Sequence, residues 1–291
     1  MKRRLAQLRS QLTTYRRQLG VVLIVASIAF LVWYCVTHPA VLQTLAQTDP
    51  HALLIIFALY SVGMGIIFLV NFFTVRICRK QLDVKQGIFL TIYSTVINFF
   101  GPLQSGPGVR AVYLKTKIGL RIRDYTLATL FYYLAFGAIN ASLLFIGSWW
   151  PLTILGLLSS IVLTIIAARS LKLVDRLRDI GAIYLVALLQ TAVMIAIYYT
   201  ELHATHTLAS LLQTAIYTAS ANLSLFVSLT PGGIGIRESF IVFASSLHHL
   251  PLAAIIAAGV LDRALYVVFL AILFVVSSSL HLKDMIRKKT A

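Results

Sequence analysis

Apolar runs of 17 to 26 residues alternate with short polar segments along most of this chain, and runs of that length read as membrane-spanning helices. Six are long enough to cross a bilayer: 20–37, 52–73, 125–147, 152–168, 181–200 and 253–278. Two further apolar stretches are interrupted. The run 87–100 holds 14 residues, which at 1.5 Å each reaches roughly 21 Å, short of a ~30 Å hydrocarbon core. It ends in Gly101-Pro102-Leu103-Gln104-Ser105-Gly106-Pro107-Gly108. The run 207–229 ends in Thr230-Pro231-Gly232-Gly233-Ile234-Gly235. Pro231 cannot donate a backbone hydrogen bond, and three glycines in five residues lower helix propensity further. A helix should therefore stop near Leu229 and another begin near Ile234. Such breaks survive in a bilayer only where protein or a wet cavity satisfies the freed N–H and C=O groups. The pattern predicts two re-entrant hairpins, the first opening inward and the second, over 207–247, opening outward. Reading each hairpin as two full spans leaves the sidedness of every loop unchanged.

The charges sharpen this picture. Residues 1–19 carry Lys2, Arg3, Arg4, Arg9, Arg16 and Arg17 and no acid, while 38–51 has no Lys or Arg. Basic residues return at Arg76 to Lys85, at Lys115 to Arg123, at Arg169 to Arg178 and from Lys283 onward. This alternation follows the positive-inside rule and places both termini in the cytoplasm. It also accounts for the net charge of +16 without nucleic acid, in a chain that is 59% hydrophobic and 12% charged with a mean hydropathy of +0.88. Cys35 and Cys78 fall at opposite ends of the membrane, so no disulfide is expected. The expected organisation is a cytoplasmic basic segment at 1–19, a transmembrane domain at 20–282 and a basic tail at 283–291. The localisation is a cell (inner) membrane.

The two breaks echo each other. Gly106-Pro107-Gly108-Val109-Arg110 and Gly233-Ile234-Gly235-Ile236-Arg237 both read G-x-G-aliphatic-Arg, and both glycines and the arginine recur at one shared offset. The spans pair at nearly the same offset and in opposite directions. The predicted fold class is an all-α, polytopic membrane helix bundle of six full spans plus two re-entrant broken helices. Its two halves, about 20–147 and 152–278, form an inverted-topology repeat, an architecture associated with secondary transporters. Each restarted helix offers free N–H groups and a positive dipole end, with Arg110 or Arg237 near its start, which suits an anion such as phosphate.

Intramembrane charge marks the candidate site. Arg237, Glu238, Asp262 and Arg263 lie within the membrane by this reading. At ~2.5 kcal/mol or more each, four unpaired charges would cost on the order of 10 kcal/mol. Two readings stand side by side. Structural ion pairs such as Arg237–Asp262 and Glu238–Arg263 would hold the bundle together. Alternatively, the charges bind an anionic headgroup together with Arg110, Gly106, Gly108, Pro231, Gly232, Gly233 and Gly235. Asn98 and Asn222, just before the breaks, either cap backbone groups or touch substrate, and Tyr132 and Tyr133 read as packing or belt residues. The absence of a Glu in the first motif predicts that Arg237 dominates over Arg110. His38, His51, His203, His206, His248 and His249 fall outside with Glu201 beside them, so metal binding or pH sensing there stays open. No nucleophile constellation, phosphate-binding P-loop, dinucleotide or other cofactor motif, or zinc-site cysteine spacing is present in the sequence.

Pro231-Gly232-Gly233-Ile234-Gly235-Ile236-Arg237-Glu238, followed by Asp262-Arg263 in the next span, resembles the flippase-like transmembrane region of lysylphosphatidylglycerol synthases, the multiple peptide resistance factors, and their stand-alone relatives. The likeness covers nearly the whole chain. It is weaker at the first motif, which lacks the family's Glu, and at Tyr132-Tyr133, where the family often has Glu-Arg. It implies movement of an anionic or aminoacylated phospholipid, or a lipid-linked headgroup, between leaflets. No soluble aminoacyl-transferring domain is recognisable, so an enzyme that makes the lipid is not expected. The alternatives are an accessory subunit presenting lipid to a glycosyltransferase or other lipid-modifying enzyme, and a small-solute transporter. A homo-oligomer or an enzyme partner stays open. The topology predicts that a cysteine at Gln104 is labelled by a polar reagent from the cytoplasmic side and one at His248 only from outside. Labelling of both from one face would sink the inverted arrangement.

Overall fold

The computed structural model describes residues 49–100, 105–146, 149–205, 207, 209–227, 236–248 and 252–290. All of them belong to one compact unit that begins at Gln47. The basic segment 1–19, the first predicted span 20–37 and the loops 101–104 and 228–235 lie outside the described residues, as do His206 and His249. Among the described residues there are helices and turns but no strands.

The helices are α1 Pro50–Ile77, α2 Val84–Phe100, α3 Gly106–Ile118, α4 Ile122–Phe145, α5 Trp150–Ser170, α6 Leu177–Ala204, α7 Leu211–Ser224, α8 Ile236–His248 and α9 Leu252–Thr290. A single 3-10 turn, Val174–Arg176, leads into α6. Local chemistry sets several of these limits. Asp49 caps α1 by accepting the His51 N–H at 2.9 Å, with Pro50 in the first turn. Ser210 and Gln213 form a reciprocal capping box at the start of α7. Gly119, at φ +66°, closes α3 in the left-handed conformation that favours glycine. The second break resumes as helix at Ile236 rather than Ile234. The helix of the last span runs on through the basic tail to Thr290, 39 residues or about 58 Å.

Four helical stretches, Pro50–Ile77, Ile122–Phe145, Trp150–Ser170 and Val174–Ala204, are long and apolar enough to cross a membrane. The chain is membrane-embedded, and α5 shows why. Leu155, Leu158 and Ile166 are exposed, whereas Ser160, Thr164 and Ala168, spaced at i, i+4 and i+8, are buried. The small and polar residues turn inward and the large apolar ones outward, as expected where lipid is the solvent. Tyr184 of α6 donates to the Ser160 carbonyl at 3.1 Å across that small-residue face. Ser142 of α4 and Thr153 of α5 bond each other's backbone carbonyls, both at 3.1 Å, beside the turn that joins the two helices.

α1 and α6 run antiparallel at the centre. Arg76, near the end of α1, pairs with Asp179, near the start of α6, at 3.1 Å. Ile66 and Val70 pack on Val186 in the middle. Tyr60 meets Glu201 towards the other end. The two helices have equal length, and the interval from Pro50 to Leu177 at their starts, like that from Ile77 to Ala204 at their ends, equals the interval from Arg110 to Arg237. α2 and α3 fold into a hairpin, with Leu90 beside Leu114 and Gly106 against Ser94 and Asn98 near the break. A Cβ at Gly106 would lie 2.6 Å from Asn98 Cβ and 2.8 Å from the Ser94 carbonyl oxygen, so glycine is required there by close approach. α7 is buried along most of its length by Thr214, Thr218, Ala219, Ser220, Ala221 and Ser224, whose small side chains admit close neighbours.

The end of the bundle that carries Arg76 is held by ion pairs that differ in burial. Asp179 is nearly inaccessible, whereas the Arg79–Asp175 pair, at 3.0 Å, is half-exposed. Asp179→Asn should lower the thermal stability of the detergent-solubilised protein by about 1–3 kcal/mol, because it removes the charge-assisted bonds of a buried carboxylate whose arginine partners stay partly exposed. Asp175→Asn should cost under about 1 kcal/mol. Equal losses in paired melting curves would contradict this ranking.

Candidate functional site

The second motif opens α8, and Arg237 is the second residue of that helix. Its guanidinium is buried among three side chains. Nη1 donates to Asp262 Oδ2 of α9 at 3.0 Å, and Nη2 donates to the Tyr198 hydroxyl of α6 at 2.8 Å and the Tyr217 hydroxyl of α7 at 3.2 Å. The guanidinium carbon also sits 5.2 Å from the Tyr198 ring centroid, in cation–π range. Tyr60 of α1 closes the other side of Asp262. Its hydroxyl lies 2.8 Å from Asp262 Oδ1, 3.2 Å from the Asp262 carbonyl oxygen and 3.2 Å from Glu201 Oε1 of α6. Five helices therefore converge on one polar cluster.

Burial makes this cluster consequential. Relative exposure is 8% for Arg237, 9% for Asp262 and 0% for Glu201. Gly259, one turn before Asp262, makes room for it: a Cβ there would come within 3.1 Å of the Tyr217 hydroxyl. Of the two readings of the intramembrane charges, the Arg237–Asp262 ion pair exists. The side chain of Glu238 lies outside the described residues, so its pairing with Arg263 is not described. Pro231, Gly232, Gly233 and Gly235 lie outside them as well.

Arg110 has a different environment. It lies in the first half of α3, half-buried, and its Nη1 donates to Asn71 Oδ1 of α1 at 3.0 Å. Asn71 in turn donates to Thr91 of α2 at 2.9 Å. Among the described residues Arg110 pairs with no carboxylate, and its buried Nε has no partner. Asn71 precedes Tyr198 by the same interval as Arg110 precedes Arg237, so each arginine bonds the equivalent position of α1 or α6. The equivalence stops at the acid. The same interval before Asp262 falls on Ala135, fully buried and uncharged. Tyr60, which bonds Asp262, and Asn71, which bonds Arg110, are 11 residues apart on α1, about 16 Å along its axis.

Asn98 and Asn222 part company. Asn98 Oδ1 accepts the Gly106 N–H at 3.1 Å and so caps the restarted helix. Asn222 donates to Asn140 Oδ1 at 2.9 Å, and Asn140 donates to Thr191 at 3.2 Å, tying α7 to α4 and α6. Gly108 faces open space, with no atom within 4 Å of an added Cβ. Tyr132 donates to Gln190 at 2.8 Å and Tyr133 packs edge-on to Phe226, so both are packing residues. Among the described residues no group of three or more His, Cys, Asp or Glu is placed to hold a metal ion.

Glu201 corrects the sequence reading. It was expected outside, beside the histidines, because the apolar run stops at Thr200. The helix instead continues to Ala204 and carries Glu201 into the core. Tyr60, Tyr198, Tyr217 and Asn71 were not singled out at all. The available signal was a tyrosine hydroxyl in the interior of an apolar span, a group that needs a partner when buried. Neither protein-family models nor curated proteins give any match to this chain.

The cluster predicts its own energetics. Arg237→Ala strands Asp262 in a dry site and should destabilise the protein by about 3–5 kcal/mol. Adding Asp262→Asn should restore part of that loss, giving a coupling of at least ~1 kcal/mol in a double-mutant cycle. Additive losses in detergent melting curves would show that the pair is not a unit.

Proposed function

We propose that the protein is a lipid translocase of the cell membrane that takes an anionic headgroup first on Arg110. The observation that carries this reading is the unequal state of the two arginines. Arg237 already has its counter-charge in Asp262, whereas among the described residues Arg110 bonds only an amide oxygen, that of Asn71. A guanidinium without an anion costs at least ~2.5 kcal/mol at membrane depth, and a lipid phosphate supplies what is missing. The start of α3 adds a positive helix end beside it. The motifs alone favoured Arg237 as the dominant ligand, and the ion pair favours the opposite order.

Several features support transport. The equal lengths of α1 and α6, their antiparallel course and the offset they share with the two arginine motifs agree with an inverted-topology repeat of six spans and two broken helices. Such repeats alternate access by rocking one half against the other. In this reading the described arrangement has the Arg237 side closed by its tyrosines and the Arg110 side open to a ligand. Both termini then lie in the cytoplasm. The likeness of the Arg237 and Asp262-Arg263 motifs to the flippase-like region of lysylphosphatidylglycerol synthases bears in the same direction.

Purified protein in liposomes containing a fluorescent phosphatidylglycerol tests this directly. Wild-type protein should accelerate movement of the label between leaflets. Arg110→Ala should slow that movement at least about tenfold, the loss of one charge-assisted contact, while melting within a few degrees of wild type. Arg110→Lys should retain a part of the rate. Movement at the wild-type rate in Arg110→Ala would refute the assignment. No movement by wild-type protein would favour a subunit that only presents lipid to a partner enzyme.

A further inference from the structure

We propose that Glu201 and Asp262 share one proton, held with the Tyr60 hydroxyl, and that this carboxyl pair is a proton-binding site of the protein. The argument is an inventory of hydrogens. Tyr60 has one hydroxyl hydrogen, and its oxygen lies within hydrogen-bonding distance of Asp262 Oδ1 at 2.8 Å and Glu201 Oε1 at 3.2 Å. One hydrogen makes one strong bond, and the shorter contact takes it. The Tyr60–Glu201 contact is then attractive only if Glu201 brings a hydrogen of its own and the tyrosine oxygen accepts it. The other oxygen, Glu201 Oε2, is buried and has no partner among the described residues. An ionised glutamate would leave that lone-pair-rich atom unsatisfied in a site fully closed to water, whereas a neutral acid loses far less.

The surrounding charges agree. Facing the pair are Tyr60 from α1, Tyr198 from α6, Tyr217 from α7, Arg237 from α8 and Tyr266 from α9, whose ring lies 5.0 Å from that of Tyr60. Arg263 is the next residue along α9 and Glu238 the next along α8. Arg237 bonds Asp262, and among the described residues no cation bonds Glu201. With both acids ionised, Arg237, Asp262 and Glu201 carry +1, −1 and −1. One proton brings the three to neutrality. A metal cation fits less well, because the Tyr60 hydroxyl occupies the space between the carboxyl groups and Arg237 holds the other Asp262 oxygen. Glu201 is three residues from the end of α6, about 5 Å along the axis from the helix terminus that the charge pattern places outside. A proton thus has a short route from that side. Its loss would add a second negative charge beside Arg237 and so loosen the pair that holds α8, the helix after the break, against α9.

The use of this site in lipid movement rests on the translocase reading, but the proton itself does not. Infrared difference spectra of the whole protein in liposomes at neutral pH should show the carbonyl stretch of a neutral carboxylic acid. That band should vanish in Glu201→Gln, where Asp262 stays paired with Arg237. It should vanish equally in Asp262→Asn, where Glu201 ionises against Arg237. Asp179→Asn should leave it in place. Absence of the band in wild type, or its survival in either core variant, would overturn the proposal. If either variant fails to fold, Tyr60→Phe provides a second reading: the band should shift in frequency, and an unshifted band would overturn it too. The sign of the pH dependence gives a further readout. The folded state holds a proton that an unfolded glutamate releases above about pH 4.3, so wild-type stability should fall as pH rises. Glu201→Gln should flatten that slope, and an unchanged slope would count against the site.

In the same liposomes, an outside-acid pH gradient should speed wild-type lipid movement several-fold, and Glu201→Gln should lose that response. A titrating band with no lipid movement would refute the translocase reading and leave the proton site intact. Lipid movement without the band would do the reverse.

Discussion

One constraint runs through this bundle: the Arg237 charge sits where neither water nor lipid headgroups can solvate it. A guanidinium there demands an anion and several acceptors at fixed distance, and no single helix can supply them. The sequence answers with Asp262 from α9, Tyr198 from α6 and Tyr217 from α7, and Tyr60 from α1 orients the acid. That requirement explains features that look arbitrary alone. Gly259 is small because Tyr217 must pass it. α7 is lined with Thr, Ala and Ser because it threads between its neighbours. In hydrocarbon, where lipid tails are as apolar as leucine, such polar contacts and close backbone approach supply the cohesion that water exclusion supplies elsewhere.

The Arg76 end of α1 and α6 follows a milder version of the same rule. Arg76 and Asp179 join the two helices at 3.1 Å, and Arg79 and Asp175 repeat the link nearer to solvent at 3.0 Å. The centre of the bundle is thus a pair of antiparallel helices clamped by charge at one end and by the Tyr60–Glu201–Asp262 cluster towards the other. Between the clamps lie plain apolar contacts such as Ile66 and Val70 on Val186. With polar clamps at both ends the register of the two helices is fixed, and the apolar middle adds cohesion without specifying it.

Much of the fold was legible because bilayer thickness fixes span length and because proline and glycine mark helix breaks without tertiary help. The restarted helices at Gly106 and Ile236 lie where the proline- and glycine-rich breaks placed them, the second within two residues of Ile234. The Arg237–Asp262 pairing was legible because two opposite charges in adjacent apolar segments have few other partners. Glu201 was not, since hydropathy ends a helix at the last apolar residue, whereas backbone hydrogen bonds carry it another turn to Ala204. The tyrosines were hidden for a related reason. Tyrosine is counted with the hydrophobic residues, and only its position opposite a buried charge reveals the hydroxyl as a ligand. Gly106 and Gly108 show the limit in the other direction. They look alike in the motif, yet one is pressed against Asn98 and Ser94 and the other faces open space.

The deepest asymmetry lies between the two halves. Stepping back from the cluster by the interval that separates Arg237 from Arg110, Asp262 becomes Ala135, Glu201 becomes Thr74, Tyr217 becomes Leu90 and Tyr198 becomes Asn71. Among the described residues Arg237 is grouped with two acids, whereas Arg110 pairs with none. In a structure held together only by ion pairs, an arginine without its acid would be a pure liability at membrane depth, and replacement by an apolar residue would be favourable. Its presence on α3, held in place by an uncharged asparagine, makes sense if the missing anion arrives from outside the chain. On the translocase reading Arg237 then serves as the fixed reference, its counter-charge supplied by Asp262, and Arg110 as the one whose charge balance depends on what is bound. On the translocase reading, two arginines unequal in charge balance respond differently to the same anion, and a difference of that kind is what lets a ligand shift a two-state equilibrium.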